Sequence, residues 1–364
     1  MKLLFCILVL WQTADEWYAT GVRLAGSGNP SGAIEAYRQA VRVNPKHIEA
    51  WNNLGDLLRR SGDRQGALDA IDHALQLNPN HPRAALNAAV LRIELKQFKE
   101  ALPFLDRARA EMGDQPALDY LAARAHLELN NVAAARPYLD RFRPSSASSP
   151  AGALELSTLL MDREEYAAAA EMLLSIPVER RTTEITLRVG QAWYALDQME
   201  KARDAFTEVV QKSPGDFRGY LWQGYAERGL GNPESAEKAL RRALDLNSES
   251  IDALVALSDL ELDRDRAAES LDLSSRALQA RPESAAALLV HGLALLHLQR
   301  FSEATAALTK IRPDAEEYGR ALYPLSRAYR RLGQTEKADA ALREFQALEQ
   351  KNQDAATPGR KRPQ

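Results

Sequence analysis

The residues with the clearest chemical potential are arginines and aromatic residues grouped between positions 188 and 225. This group consists of Arg188, Gln191, Arg218, Trp222 and Tyr225. Arginine can donate two parallel hydrogen bonds to a carboxylate, and aromatic rings provide a large contact area, so both residue types are enriched in binding hot spots. The group therefore predicts recognition of an acidic or carboxylate-bearing extended segment. Tyr120 and Arg124 form a smaller version of the same combination.

The chain shows no pattern of catalytic or metal-binding residues. Its six histidines are scattered, and His291 and His297 are six residues apart, so they do not form the i, i+4 ligand pair of a helical metal site. Cys6 is the single cysteine, which excludes an internal disulfide and a cysteine-based zinc site. Adjacent glutamates are typical of a solvated helix surface. We therefore expect a protein that is not an enzyme and that holds neither a cofactor nor a metal.

The elements that must position these residues repeat every 34 residues. Trp51 follows Trp17 at this interval, and Ala67 follows Ala33. Within a unit, apolar residues lie at helical spacing in two segments, with a turn between them and Asn-Pro after the second. A fixed period of this length is typical of a solenoid, in which each unit contacts its neighbours. The sequence predicts an all-α fold of about ten antiparallel helix pairs, from Ala14 to about Asn352.

These repeats resemble the tetratricopeptide repeat (TPR) family. The second repeat carries the family pattern at Trp51, Leu54, Gly55, Leu58, Ala67, Ile71, Ala74 and Pro79. The first, sixth, seventh, ninth and tenth repeats keep most of this pattern, and the other four are degenerate but in phase. The resemblance implies an α-solenoid wound into a right-handed superhelix. It also implies a concave groove, lined by the first helix (helix A) of each repeat, that takes extended peptides or partner helices.

The resemblance places the group between 188 and 225 at groove-facing positions. Trp222 has an alternative, which is to pack against helix A of the sixth or eighth repeat. Asn53 and Asn87 occupy one repeated position, where asparagines of some long TPR superhelices hold a peptide backbone; solvated surface asparagines are the alternative. Some chaperone-binding members grip a C-terminal carboxylate, but Tyr18 and Val22 stand where that clamp needs lysine and asparagine. We therefore expect no such clamp.

The polar stretch 143–150 replaces the end of the fourth repeat. It is a candidate joint between repeats one to four (14–149) and repeats five to ten (150–352), with a long rigid turn as the alternative. Residues 353–364, which include Arg360, Lys361 and Arg362, are expected to form a disordered basic tail.

Residues 1–13 form an apolar segment that is either a signal or a cap. Lys2 precedes nine apolar residues from Leu3 to Trp11, whereas a helix needs about 20 to span a bilayer. We therefore expect no integral membrane span. A short apolar run after a positive charge resembles a secretory signal, although no Ala-x-Ala cleavage site follows; the alternative is a cap over the first repeat. The segment favours a periplasmic or secreted protein, and otherwise a cytoplasmic one.

The net charge is only −3, so no global field favours nucleic acid or an anionic membrane as partner. The arginine- and alanine-rich composition suggests a bacterial genome rich in G and C. We expect a scaffold for protein–protein interaction, in bacterial envelope assembly or secretion. The alternative is a substrate-positioning subunit of an enzyme complex, beside a glycosyltransferase or hydrolase. Self-association through the end repeats is also open, because the last helix keeps apolar residues without a polar helix after it.

Overall fold

The computed structural model describes residues 12–356. Residues 1–11 and 357–364, which hold the apolar run and the basic end of the predicted tail, lie outside the described residues. The all-α prediction is confirmed, because residues 12–356 form twenty α-helices and no β-strand. None of these helices is long and apolar enough to cross a bilayer.

The chain divides into two compact units, the first ending at Arg181 and the second beginning at Thr182. The first unit holds repeats one to five. Its helices are α1 (Ala14–Gly26), α2 (Pro30–Val43), α3 (Ile48–Ser61), α4 (Arg64–Leu77), α5 (Pro82–Glu94), α6 (Phe98–Met112), α7 (Pro116–Glu128), α8 (Val132–Phe142), α9 (Pro150–Met161) and α10 (Tyr166–Leu174). Short 3₁₀ segments lie at Arg143–Ser145 and Val178–Arg180.

The second unit holds repeats six to ten. Its helices are α11 (Thr183–Ala195), α12 (Met199–Lys212), α13 (Phe217–Gly229), α14 (Pro233–Leu246), α15 (Ile251–Asp263), α16 (Ala267–Ala280), α17 (Ala285–His297), α18 (Phe301–Leu308), α19 (Tyr318–Arg331) and α20 (Thr335–Ala356). The last helix therefore runs four residues past the predicted end of the repeats at 352.

Odd-numbered helices are the A helices and even-numbered helices the B helices of their repeats. Each A helix packs against the B helix that follows it, and within each unit most A helices of successive repeats also contact one another. In each unit the A helices therefore form one face, which we call the A-helix surface.

Close contact within each pair explains the small residues of the sequence pattern. In five repeats a Cβ built on the helix A glycine would lie closer than 3.0 Å to a large side chain sixteen residues later. Only glycine lets the two helices approach this closely while the large residue stays buried. The glycines and their partners are Gly21 with Tyr37, Gly55 with Ile71, Gly190 with Phe206, Gly224 with Leu240, and Gly292 with Leu308.

The turn between the helices of a pair has the same backbone form in all ten repeats. One residue there takes a positive φ, a left-handed conformation that suits glycine best. Glycine holds it in four repeats and a residue with a side chain in six. These residues are Gly28, Gly62, Lys96, Asn130, Glu164, Asp197, Gly231, Asp265, Gln299 and Gly333. Seven of these ten residues are Gly, Asn or Asp, which tolerate this conformation best, and helix packing imposes it on Lys96, Glu164 and Gln299 as well.

The stretch 143–150 folds against the fifth repeat. Ser146 is fully buried, and its hydroxyl donates to Sδ of Met172 at 3.2 Å. Arg143 donates to Glu171 at 2.7 Å. These contacts hold the stretch within the first unit, and the division into units falls later, after Arg181. A joint at 143–150 stays a prediction.

Candidate functional site

Helices α11 and α13 bring five of the candidate residues onto the A-helix surface of the second unit. Trp222 stands 34 residues after Arg188, and Tyr225 stands 34 after Gln191, so each pair occupies equivalent positions in successive repeats. Their A helices contact each other directly. We call this region, with Tyr194 of α11 added, the Trp222 surface.

Trp222 lies at the centre of an aromatic cluster. Its ring centroid is 5.6 Å from that of Tyr194, 5.4 Å from Tyr225 and 5.8 Å from Phe206. The alternative reading of Trp222 therefore holds in part, because the ring packs on helix A of the sixth repeat. The side chain is nevertheless only half-buried, and its indole N–H has no hydrogen-bond partner among residues 12–356. The cluster thus offers an aromatic face together with a free donor.

The two arginines of this surface are already paired with its own acids. Arg218 donates through Nη1 to Glu184 at 2.9 Å and through Nη2 to Asp216 at 2.8 Å. Nε of Arg188 lies 3.3 Å from the same Glu184 carboxylate, and its Nη1 donates to Gln191 at 3.3 Å. The hydrogen bonds from Arg218 lower the pKa of Asp216, which keeps that carboxylate charged.

This pairing matters for the predicted acidic ligand. An incoming carboxylate at Arg188 or Arg218 would compete with Glu184 or Asp216 for the guanidinium groups. Sequence reasoning missed Glu184, although the 34-residue period places it at the position of Arg218 one repeat earlier. Opposite charges at equivalent positions of successive repeats are the signal that could have identified it.

The smaller group in the fourth repeat is also engaged internally. Nε of Arg124 lies 3.0 Å from one oxygen of Glu155 on α9, and the Tyr120 hydroxyl donates to the other oxygen. Burial, and next the hydrogen bond to Glu155, raise the pKa of Tyr120 to about 12. Tyr120 and Arg124 thus hold the fourth and fifth repeats together through one carboxylate.

The two candidate asparagines belong to one polar network in the first three repeats. Asn52, which is buried, donates to Asn53 at 3.1 Å and accepts from Asn87 at 2.9 Å. The amide of Asn53 also contacts the hydroxyls of Tyr18 and Tyr37, each at 3.4 Å. Asn52 connects the two candidates and was missed by the sequence pattern. A role in holding a peptide backbone stays a prediction.

A buried carboxylate elsewhere in the first unit is paired with two arginines and so has a structural role. Asp119 is almost fully buried, and its Oδ1 accepts from Arg109 at 2.9 Å and from Arg141 at 2.8 Å. Both guanidinium groups lie over the ring of Tyr138, at 5.2 Å and 4.9 Å from its centroid. Within residues 12–356 no group of three or more His, Cys, Asp or Glu could hold a metal ion.

Comparison with known structures agrees with the helix-pair fold. The C-terminal part of a TPR repeat-containing protein from Cytophaga hutchinsonii is 14% identical, covers 65% of this chain and 98% of its own, and has a TM-score of 0.54. The MamA protein is 22% identical over 50% of this chain and 98% of its own, at a TM-score of 0.40. Yeast Tom70 is 12% identical over 89% of this chain and 96% of its own, at a TM-score of 0.45. At 14% identity the first likeness shows the fold alone. The other two have TM-scores below 0.5, and no conclusion about this chain is drawn from them.

Family models give a more direct result. One tetratricopeptide repeat model matches residues 18–77, 154–217 and 221–285, which together make up just over half of the chain. A second matches 58–118 and 93–152, and a third matches 319–352. No curated protein sequence matches the chain. With its helix pairs and their glycine contacts, this chain belongs to the tetratricopeptide repeat family.

Proposed function

We propose that this protein is a non-enzymatic scaffold whose Trp222 surface binds an extended segment of a partner protein. A TPR fold supports a role in protein–protein interaction. The observation that carries the finer proposal is Trp222 itself, a half-buried aromatic ring in contact with Tyr194 and Tyr225 and with a free N–H.

The chemistry of the surface favours contact with side chains and peptide groups rather than capture of an anion. Tyr194, Trp222 and Tyr225 give a rigid aromatic area, which costs little conformational entropy on binding. The indole N–H can donate to a backbone carbonyl of the bound segment. Because Arg188 and Arg218 are neutralised by Glu184 and Asp216, they contribute a polar rim rather than a net positive charge.

The test compares proteins recovered by three forms of the scaffold from a lysate of the native host. Trp222→Ala removes the ring at the centre of the surface. Tyr323→Ala is the matched control, since it removes an aromatic side chain that is 49% exposed on another A helix. We expect partners that bind the native chain and the control but are lost from Trp222→Ala. Equal recovery by all three forms, each with an unchanged circular dichroism spectrum, would place binding elsewhere.

We further propose that the scaffold works in the bacterial envelope, in assembly or secretion. The support is the run from Leu3 to Trp11 after Lys2, which resembles a secretory signal. Fractionation of the native host with an intact mass of the recovered protein tests this. Loss of about the first 14 residues, with recovery outside the cytoplasm, is the expected result. A full-length chain in the cytoplasm would contradict the proposal and would leave the scaffold role untouched.

A further inference from the structure

A cleft of about 360 Å³ lies between α17 and α19, the A helices of the ninth and tenth repeats. Its volume falls in the range of about 300–1,000 Å³ that is typical of ligand pockets. Half of its lining residues are apolar, and the polar half consists of His297, Gln299 and two arginines of α19. The apolar residues are Leu293, Leu296, Phe301 and Pro324, and the arginines are Arg327 and Arg331.

The two arginines differ from those of the Trp222 surface in having no partner. Neither Arg327 nor Arg331 forms a hydrogen bond or an ion pair with any of residues 12–356, and both side chains are exposed. They stand four positions apart on one helix, which places both guanidinium groups on the same side of it. By contrast, Arg330 between them points to α20 and pairs with Asp339 at 3.0 Å.

The charged residues that line the cleft, Arg327 and Arg331, are both positive. Helix α19 contains four arginines and no acidic residue, and α17 contains no acidic residue either. The acid in the first turn of α18, Glu303, is held by Arg300 through two hydrogen bonds of 2.7 Å and 2.6 Å. The cleft therefore has unmet positive charge beside four partly exposed apolar residues, although the chain as a whole is slightly acidic.

We propose that this cleft binds an acidic segment of a partner protein that carries an apolar side chain next to a carboxylate. The apolar side chain packs on Leu293, Leu296 and Pro324, and the carboxylate accepts hydrogen bonds from Arg327 and Arg331. The proposal rests on the scaffold function above, and it moves recognition of acid from Arg188 and Arg218 to the tenth repeat. The four apolar residues of the lining favour such a segment over a nucleic acid, whose binding rests mainly on phosphate contacts.

The probe is a fluorescein-labelled pool of short peptides in which Asp or Glu alternates with Leu or Phe. Fluorescence anisotropy with the full chain measures its affinity at low and high salt. The double variant Arg327→Ala, Arg331→Ala should weaken binding at least about tenfold, because two charge-assisted hydrogen bonds are lost. Binding should also weaken with salt, as expected for exposed charges. Both residues are exposed, so the fold should survive; an unchanged melting temperature checks this.

Two controls make the result decisive. Arg330→Ala removes the same side chain from the same helix and should leave the affinity unchanged. A pool with Asn and Gln in place of the acids should bind at least about tenfold more weakly. The inference is overturned if the acidic pool does not bind, if the double variant binds as tightly as the native chain, or if a single-stranded oligonucleotide competes for the cleft more strongly than the peptides. Trp222→Ala, measured in parallel, separates this result from that of the scaffold proposal.

Discussion

Arg218 of α13 donates a 2.9 Å hydrogen bond to Glu184, which occupies the equivalent position of α11 one repeat earlier. Similar ion pairs join other A helices of successive repeats. Arg59 pairs with Glu94, and Arg228 pairs with Asp263 at 2.6 Å, each across 35 residues. Several arginines of the A helices are therefore ties between neighbouring repeats. Arg327 and Arg331 of α19, which form no such tie, are available to a binding partner.

Replacing Gly55 by alanine should destabilise the protein by about 1–3 kcal/mol, because the new Cβ would meet Ile71 in a fully packed contact. Thermal unfolding measures the effect. Gly26→Ala is the matched control, since nothing lies within 4 Å of its Cβ position in α1. The control should leave stability unchanged or raise it by about 0.5–1 kcal/mol, as alanine is the better helix former. Equal effects at both glycines would contradict the proposed close contact.

Replacing Lys96 by glycine should stabilise the protein, by about 0.5–1 kcal/mol. Lys96 has a φ of 59°, and a residue with a Cβ pays roughly 1–2 kcal/mol in this left-handed conformation. Part of the gain is offset, since glycine has more freedom in the unfolded chain. The reverse change, Gly62→Lys in the equivalent turn, should lower the melting temperature. A destabilised Lys96→Gly would mean that its side chain contributes more than the strain.

Asp119→Ala should cost about 2–4 kcal/mol, because it leaves Arg109 and Arg141 facing each other beside Tyr138 without their shared carboxylate. The estimate lies below the value for a fully buried pair because Arg141 is 39% exposed. Asp114→Ala removes the exposed second partner of Arg109 and should cost no more than about 1 kcal/mol. Urea unfolding of the two variants distinguishes them, and similar losses would rule out a special role for Asp119.

Stability should fall as the pH drops below about 6.5, where histidine in the unfolded chain takes up a proton. Burial lowers the pKa of His126, with a smaller opposing effect from Asp106, and its buried Nδ1 has no partner within residues 12–356. A lowered pKa means that the folded state binds the proton less well, so the stability present above pH 6.5 is lost on acidification toward the folded pKa. His126→Phe keeps a ring against Tyr138 and should reduce this loss.

Hydrogen exchange of the fourth repeat at pH 7 and pH 5 gives the local measurement for His126. His291 of the second unit also has a pKa lowered by burial, so acid should weaken its repeat independently. Unchanged acid sensitivity of the fourth repeat in His126→Phe would show that another group is responsible.

The 34-residue period was enough to predict the helix pairs, since small and large residues at matching positions report directly on contacts such as Gly55 with Ile71. The same period also predicted which residues share the A-helix surface. The period does not reveal which charged side chains lack an ion-pair partner in the fold. Arg218 and Arg327 look alike in the sequence, and only the positions of Glu184 and Asp216 separate them.

Pairing across repeats explains why binding residues were harder to predict than the fold. The pattern of helix contacts is repeated ten times, so it can be recognised even where a single repeat departs from it. A binding site depends on a few side chains whose rotamers and neighbours differ from repeat to repeat. Asn52 illustrates this. The 34-residue period singles out Asn53 and Asn87, but the side chain that hydrogen-bonds to both of them is that of Asn52.

The uniform turn between paired helices also bears on how the chain folds. Each turn closes locally, as when the N–H of Asp63 bonds to the carbonyl of Leu58 at 2.9 Å and that of Gln97 to Arg92 at 2.8 Å. Most contacts of a helix are with the next one or two helices along the chain, so contact order is low and little loop-closure entropy must be overcome before packing begins. Folding can then start at whichever pair is locally most stable and spread outward to its neighbours.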